Sequence, residues 1–139
     1  MKTLQTVNAV IELGAGLALL SFPSPVVALL LGSPLDIPTA LSVARVGGSG
    51  LLSLGVACWL ARGDSESRAA RGLVAAMLLY DLGAVAVLAF AGTGFGLHGA
   101  ALWPAVVLHL VMTVWCIACL RRDPIRMTKH GTRKTFNHG

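Results

Sequence analysis

GLVAAMLLYDLGAVAVLAFA, residues 72–91, carries one charge, Asp81, near its middle and is otherwise apolar apart from Tyr80. At ~1.5 Å per residue a helix of this length covers about 30 Å, the thickness of a bilayer's hydrocarbon core. No polar face runs along it, as a surface helix of a soluble domain would require. This stretch reads as a membrane-spanning helix.

Working outward, three more apolar runs of similar character occupy residues 4–20, 39–60 and 100–120. Together they predict an all-α, four-transmembrane-helix bundle over residues 1–120, followed by a basic cytoplasmic tail over residues 121–139. Composition agrees: 55% of the 139 residues are hydrophobic, 12% are charged, and mean hydropathy is +0.76. A soluble domain carries about 25% charged residues. Net charge is +5 and the pI about 9.7, but the cations gather in a short loop and a tail beside apolar spans. A phosphate-binding array occupies a folded surface instead, so nucleic acid is not an expected partner. The partner these cations imply is the lipid bilayer.

The first run, after Lys2, has the outline of a signal peptide. Glu12 interrupts it and no clear small-residue cleavage site follows, so it is expected to stay as the first helix. Residues 21–38 hold Pro23, Pro25, Pro34 and Pro38, which break any continuous helix there. Between them, residues 26–31 are apolar but too short to cross, and are expected to lie at the interface or to cap the bundle. Residues 92–99 read as a flexible turn, and Trp103 and Trp115 as interface anchors near the ends of the last span. Lys2, the loop at 61–71 and the tail hold all the cations outside the spans; the other two connections hold none. The positive-inside rule therefore places both termini in the cytoplasm, and the bacterial inner membrane is the expected location. Glu12-Leu-Gly-Ala15 echoes Asp81-Leu-Gly-Ala84, which hints at a parallel repeat of two hairpins.

Each span carries one ionisable side chain: Glu12, Arg45, Asp81 and His109. Counted from the non-cytoplasmic ends, Arg45 lies roughly 9 Å deep and the other three roughly 12–15 Å deep. A lone charge near the bilayer centre costs about 2.5–3.5 kcal/mol on insertion scales. The four are therefore expected to face inward together, Arg45 pairing with Glu12 or Asp81 and His109 with the other acid. Gln5, Asn8, Glu12 and Gly16 form one helical stripe, and Ser42, Arg45, Ser49 and Ser53 another. Asn8 and Tyr80 complete the candidate ligand- and proton-binding set of Glu12, Arg45, Asp81, His109, Asn8 and Tyr80. Such a network can merely fix helix pairing. Alternatively it lines a pocket open to the outside, in which neighbouring acids hold or release a proton and Arg45 anchors an anion.

Other chemistry is thinner. Glu12, Asp81 and His109 offer oxygen and nitrogen ligands, but Arg45 beside them disfavours a cation, and no metal site is assigned. His109, Met112 and Cys116 share a face that would suit copper. Cys116 and Cys119 form a C-x-x-C, with Cys58 at the same level, yet on the reducing side such thiols are expected to be inert. The chain has no phosphate loop, nucleophile elbow or dinucleotide fingerprint, and the residues imply no particular cofactor and no catalytic residue.

Arg45 followed by Gly47-Gly48-x-Gly50-Leu51-Leu52-x-Leu54-Gly55, with the chain length and the proline-rich first connection, resembles the DoxX-like group of small four-helix bacterial membrane proteins. That resemblance implies a bundle rather than an activity, since the group includes subunits of quinone-linked oxidoreductases. Three functions are thus expected in turn: small-molecule binding or proton-coupled transport, a non-catalytic accessory subunit of a larger membrane complex, or an intramembrane thiol redox protein. A bundle this small is expected to dimerise if it transports.

Overall fold

Hydrocarbon offers no water to a backbone amide, so an apolar run that enters it must satisfy its own N–H and C=O groups, as a helix does. The computed structural model describes residues 1–64 and 67–122. Among these the chain forms α1 (Lys2–Ser21), α2 (Pro23–Leu31), α3 (Pro38–Ala61), α4 (Arg68–Gly94) and α5 (Leu102–Arg122), with no strand. Glu66 and the expected tail beyond residue 122, with Arg126, Lys129, His130, Arg133, Lys134 and His138, lie outside the described residues.

Four of the helices, α1, α3, α4 and α5, are long and apolar enough to cross a membrane. Their outward faces present Leu17, Val43, Val46, Leu79, Val87, Phe90 and Val114 to the surroundings. An apolar belt of that extent does not belong in water. The chain is a multi-pass membrane protein.

The helices run past the ends read from the apolar runs. α4 starts at Arg68 rather than at residue 72, because Ser67 caps it by accepting a hydrogen bond from the Ala70 amide at 3.1 Å. Arg71, inside its first turn, donates from Nη2 to the Leu120 carbonyl near the end of α5 at 3.4 Å. A cation is favoured at that negative helix end. At the other end α4 continues through Gly92 and Thr93 to Gly94, so part of the expected turn is helical. The proline-rich connection also holds a helix. Pro23 opens α2 and Pro38 opens α3, where the missing N–H would have had no partner anyway.

α2 covers the loop end of the bundle. Ala101 donates to the Leu29 carbonyl at 2.9 Å, and Gly99 lies so close against the backbone of Leu29 and Leu30 that no side chain would fit. Gly32, left-handed at φ 85°, ends the helix against His98. Trp103 is half-exposed near this end, as an anchor would be, but Trp115 is packed against the core. At the terminal end the ring stacked under a cation is Trp59, with the Arg62 guanidinium 3.2 Å from its centroid.

Packing divides the spans into two close pairs, α1 with α3 and α4 with α5. Glycine sets the first pair. A Cβ on Gly16 would stand 2.8 Å from the Gly48 carbonyl oxygen, and one on Gly48 would stand 2.9 Å from that of Gly16. The two pairs then meet through side chains: Leu4 and Ala9, Cys58, Val74 and Met77, and Met112 and Cys116 form one buried cluster. That cluster lies toward the terminal end, and the polar residues sit beside it.

Candidate functional site

Residues at i, i+3 and i+7 share a helix face, which is why Gln5, Asn8 and Glu12 enter the interior together from α1. All three are buried, Glu12 with 2% of its surface exposed. From α4 comes Asp81, 1% exposed, and from α5 come His109 and, one turn on, Thr113. His109 Nδ1 lies 2.8 Å from Asp81 Oδ1; with the carboxylate ionised, the ring N–H donates. The Tyr80 ring meets the His109 ring edge-on, centroids 5.6 Å apart. Three spans thus turn two carboxylates and an imidazole toward the interior of the bundle, with a phenol against the imidazole.

Several buried atoms in this group have no hydrogen-bond partner among the described residues. They are Glu12 Oε2, Asp81 Oδ2, Asn8 Nδ2, both polar atoms of Gln5, and Thr113 Oγ1. A buried polar group left unpaired costs about 1–3 kcal/mol, so atoms of this kind call for partners beyond the side chains around them. From Glu12 to Gln5 they extend roughly 10 Å toward the start of α1. The polar file therefore runs from Glu12 toward the terminal end, where Gln5 is itself buried, while α2 packs against the opposite end.

Arg45 is the residue that does not join. It is exposed, and its Nε donates to the Leu20 carbonyl at 3.4 Å, one residue before the end of α1. The last carbonyls of a helix have no intrahelical donor and sit at its negative end, so a guanidinium is well placed there. The long side chain also carries its charge toward the bilayer surface. The expected pairing with Glu12 or Asp81 gives way to a cap on α1. Ser42, Ser49 and Ser53 share its outward face, each donating to the carbonyl four residues back at 2.9, 3.1 and 2.9 Å. Arg45→Ala is therefore expected to leave the protonation of the Glu12–Asp81–His109 group unchanged. It should lower thermal stability in detergent by about 0.5–1 kcal/mol. A protonation change in that variant, measured by infrared titration, would return Arg45 to the cluster.

Thr113 and Gln5 enlarge the set read from the sequence. Thr113 follows His109 by four residues, a spacing that already marks a shared face. Cys58 and Cys116 are fully buried, Cys119 is partly so, and all three are free. Among the described residues no three His, Cys, Asp or Glu side chains gather as a metal site, so the Glu12–Asp81–His109 set does not meet that geometry. Comparison with protein-family models, curated proteins and solved structures finds no match, which leaves the chemistry of these side chains to speak for the site.

Proposed function

We propose that this protein binds a small molecule in exchange for protons, the exchange taking place at Glu12, Asp81 and His109. The observation that supports this most is the pair of buried carboxylate oxygens, Glu12 Oε2 and Asp81 Oδ2, without a partner among the described residues, together with an imidazole engaged with Asp81. Groups so placed can accept, share and release a proton as one unit. Asn8, Gln5 and Thr113 give that proton a polar route to the terminal end, and Tyr80 orients His109 by its edge contact. With Lys2 and the cations of residues 62–71 at that end, the route opens to the cytoplasm of a bacterial inner membrane. Kinship with the DoxX-like group belongs to the same proposal and rests on the Arg45–Gly55 residues. So does assembly into a homodimer or larger membrane complex.

The test is infrared titration of the protein in lipid. A protonated carboxyl band should grow as the pH is lowered and vanish as it is raised. It should be lost in Glu12→Gln while the protein still folds. No titrating band in the wild type would defeat the proposal.

A further inference from the structure

Arg45 is the one Lys or Arg among the described residues that stands apart from the terminal end. Lys2 begins α1, Arg62 follows α3, Arg68 and Arg71 begin α4, and Arg121 and Arg122 end α5. Arg45 instead lies about 10 Å along α3 from its start at Pro38, on the side that α2 covers. It is exposed, on a helix whose outer surface lipid meets. A charge left among acyl chains is costly, so a guanidinium there calls for an anion.

Its contact with α1 fixes its level. Nε donates to the Leu20 carbonyl at 3.4 Å, and α1 ends one residue later at Ser21, so the guanidinium stands where that span gives way to α2. That is the level of the headgroups rather than of the acyl chains. A guanidinium carries its N–H donors in a planar fork. One of them meets Leu20; the rest, on Nη1 and Nη2, have no partner among the described residues. Such a fork takes two oxygens of one phosphate at once.

Below Arg45 the same face of α3 continues through Ser49, Ser53 and Val56, all exposed. Both hydroxyls donate to the carbonyl four residues back, so the strip leaves no unmet donor against an acyl chain. A second copy of the chain fits this face less well. A two-fold axis along the membrane normal sets equivalent residues at equal depth, which would turn guanidinium toward guanidinium.

We propose that Arg45 is the headgroup site of an anionic glycerophospholipid in the leaflet at the α2 end, with Nη1 and Nη2 on its phosphate and one acyl chain along Ser49, Ser53 and Val56. The guanidinium that closes the end of α1 thereby ties α1 and α3 to that lipid. This site is separate from Glu12 and Asp81, which are buried in the interior, and it stands whether or not they exchange protons.

Native mass spectrometry of the protein with phosphatidylglycerol and phosphatidylcholine of matched chains reads the site. Wild type should retain phosphatidylglycerol in preference. Arg45→Gln, which keeps a donor for the Leu20 carbonyl but not the charge, should bind it about fivefold more weakly. Arg45→Lys, which keeps the charge without the fork, should fall between the two. The cations of the terminal end are common to all three proteins, so the difference belongs to residue 45. Inorganic phosphate should not displace the lipid, having no chain to lay on α3. Equal retention by wild type and Arg45→Gln would overturn the proposal, and displacement by inorganic phosphate would make Arg45 a site for a free anion instead. Disulfide-linked dimers formed in lipid by Ser49→Cys and not by its parent would also overturn it, by showing that a second copy covers this face.

Discussion

Gly16→Leu is expected to remove the folded bundle, while Gly14→Leu, two residues earlier on the same helix, should be tolerated. At Gly16 a Cβ would stand 2.7 Å from the Leu52 backbone nitrogen and 2.8 Å from the Gly48 carbonyl oxygen. Both obstacles are backbone, so relief requires α1 and α3 to part along their length. Overpacking of this kind costs about 3 kcal/mol or more, a large share of the ~5–15 kcal/mol that typically holds a domain together. The loss is amplified here because lipid competes for every apolar contact, leaving close backbone approach as a main source of helix association. At Gly14 nothing lies within 4 Å and the position is exposed. Leucine there has better helix propensity than glycine and should raise stability by a few tenths of a kcal/mol up to about 1. Unfolding in mixed detergent, followed by circular dichroism, reads both. Equal midpoints for the two variants would mean that α1 and α3 do not pack through Gly16.

The same helix pair shows where reading the chain succeeds and where it cannot. Length and apolarity fix the existence of a span, because the bilayer sets a thickness and forbids unpaired backbone. That logic finds α1, α3, α4 and α5 from the residues alone. It is weaker at helix ends, where a charged side chain no longer signals a break. Arg68 and Arg71 begin α4 because a capping serine and the carbonyl of Leu120 are at hand, and only the second partner is distant in sequence.

Depth can be counted along the chain, but the direction a side chain faces needs a neighbour. On α1 the stripe holds two amides and an acid, which are costly to leave facing lipid, and it marks the interior correctly. On α3 the stripe is serine, and a serine satisfies itself against the carbonyl one turn back. Such a stripe carries no information about which face is buried. Arg45 inherited that ambiguity and, being long, could find a partner at the end of α1 instead of in the core. The buried face of α3 is marked by Gly48, Gly55 and Cys58, which look no different from packing residues.

The two buried acids should respond to removal with opposite signs. Glu12→Met substitutes an apolar chain of similar length for a carboxylate that has one oxygen without a partner and a second acid, Asp81, nearby. Replacing a poorly satisfied buried charge by a well-packed apolar group is commonly neutral or stabilising by about 1–4 kcal/mol. The variant should therefore melt higher than the wild type and lose the titrating carboxyl band. Asp81→Leu takes away the acceptor 2.8 Å from His109 Nδ1 and leaves that nitrogen unpaired in a largely buried ring. Breaking a charge-assisted hydrogen bond costs about 1.5–3 kcal/mol, so this variant should melt lower. If the cluster served only to hold the bundle together, both substitutions would destabilise it, since each would remove a tie between spans. A Glu12→Met protein more stable than its parent, yet unable to exchange protons, would show a residue kept at a cost in stability for what it does to a ligand or a proton.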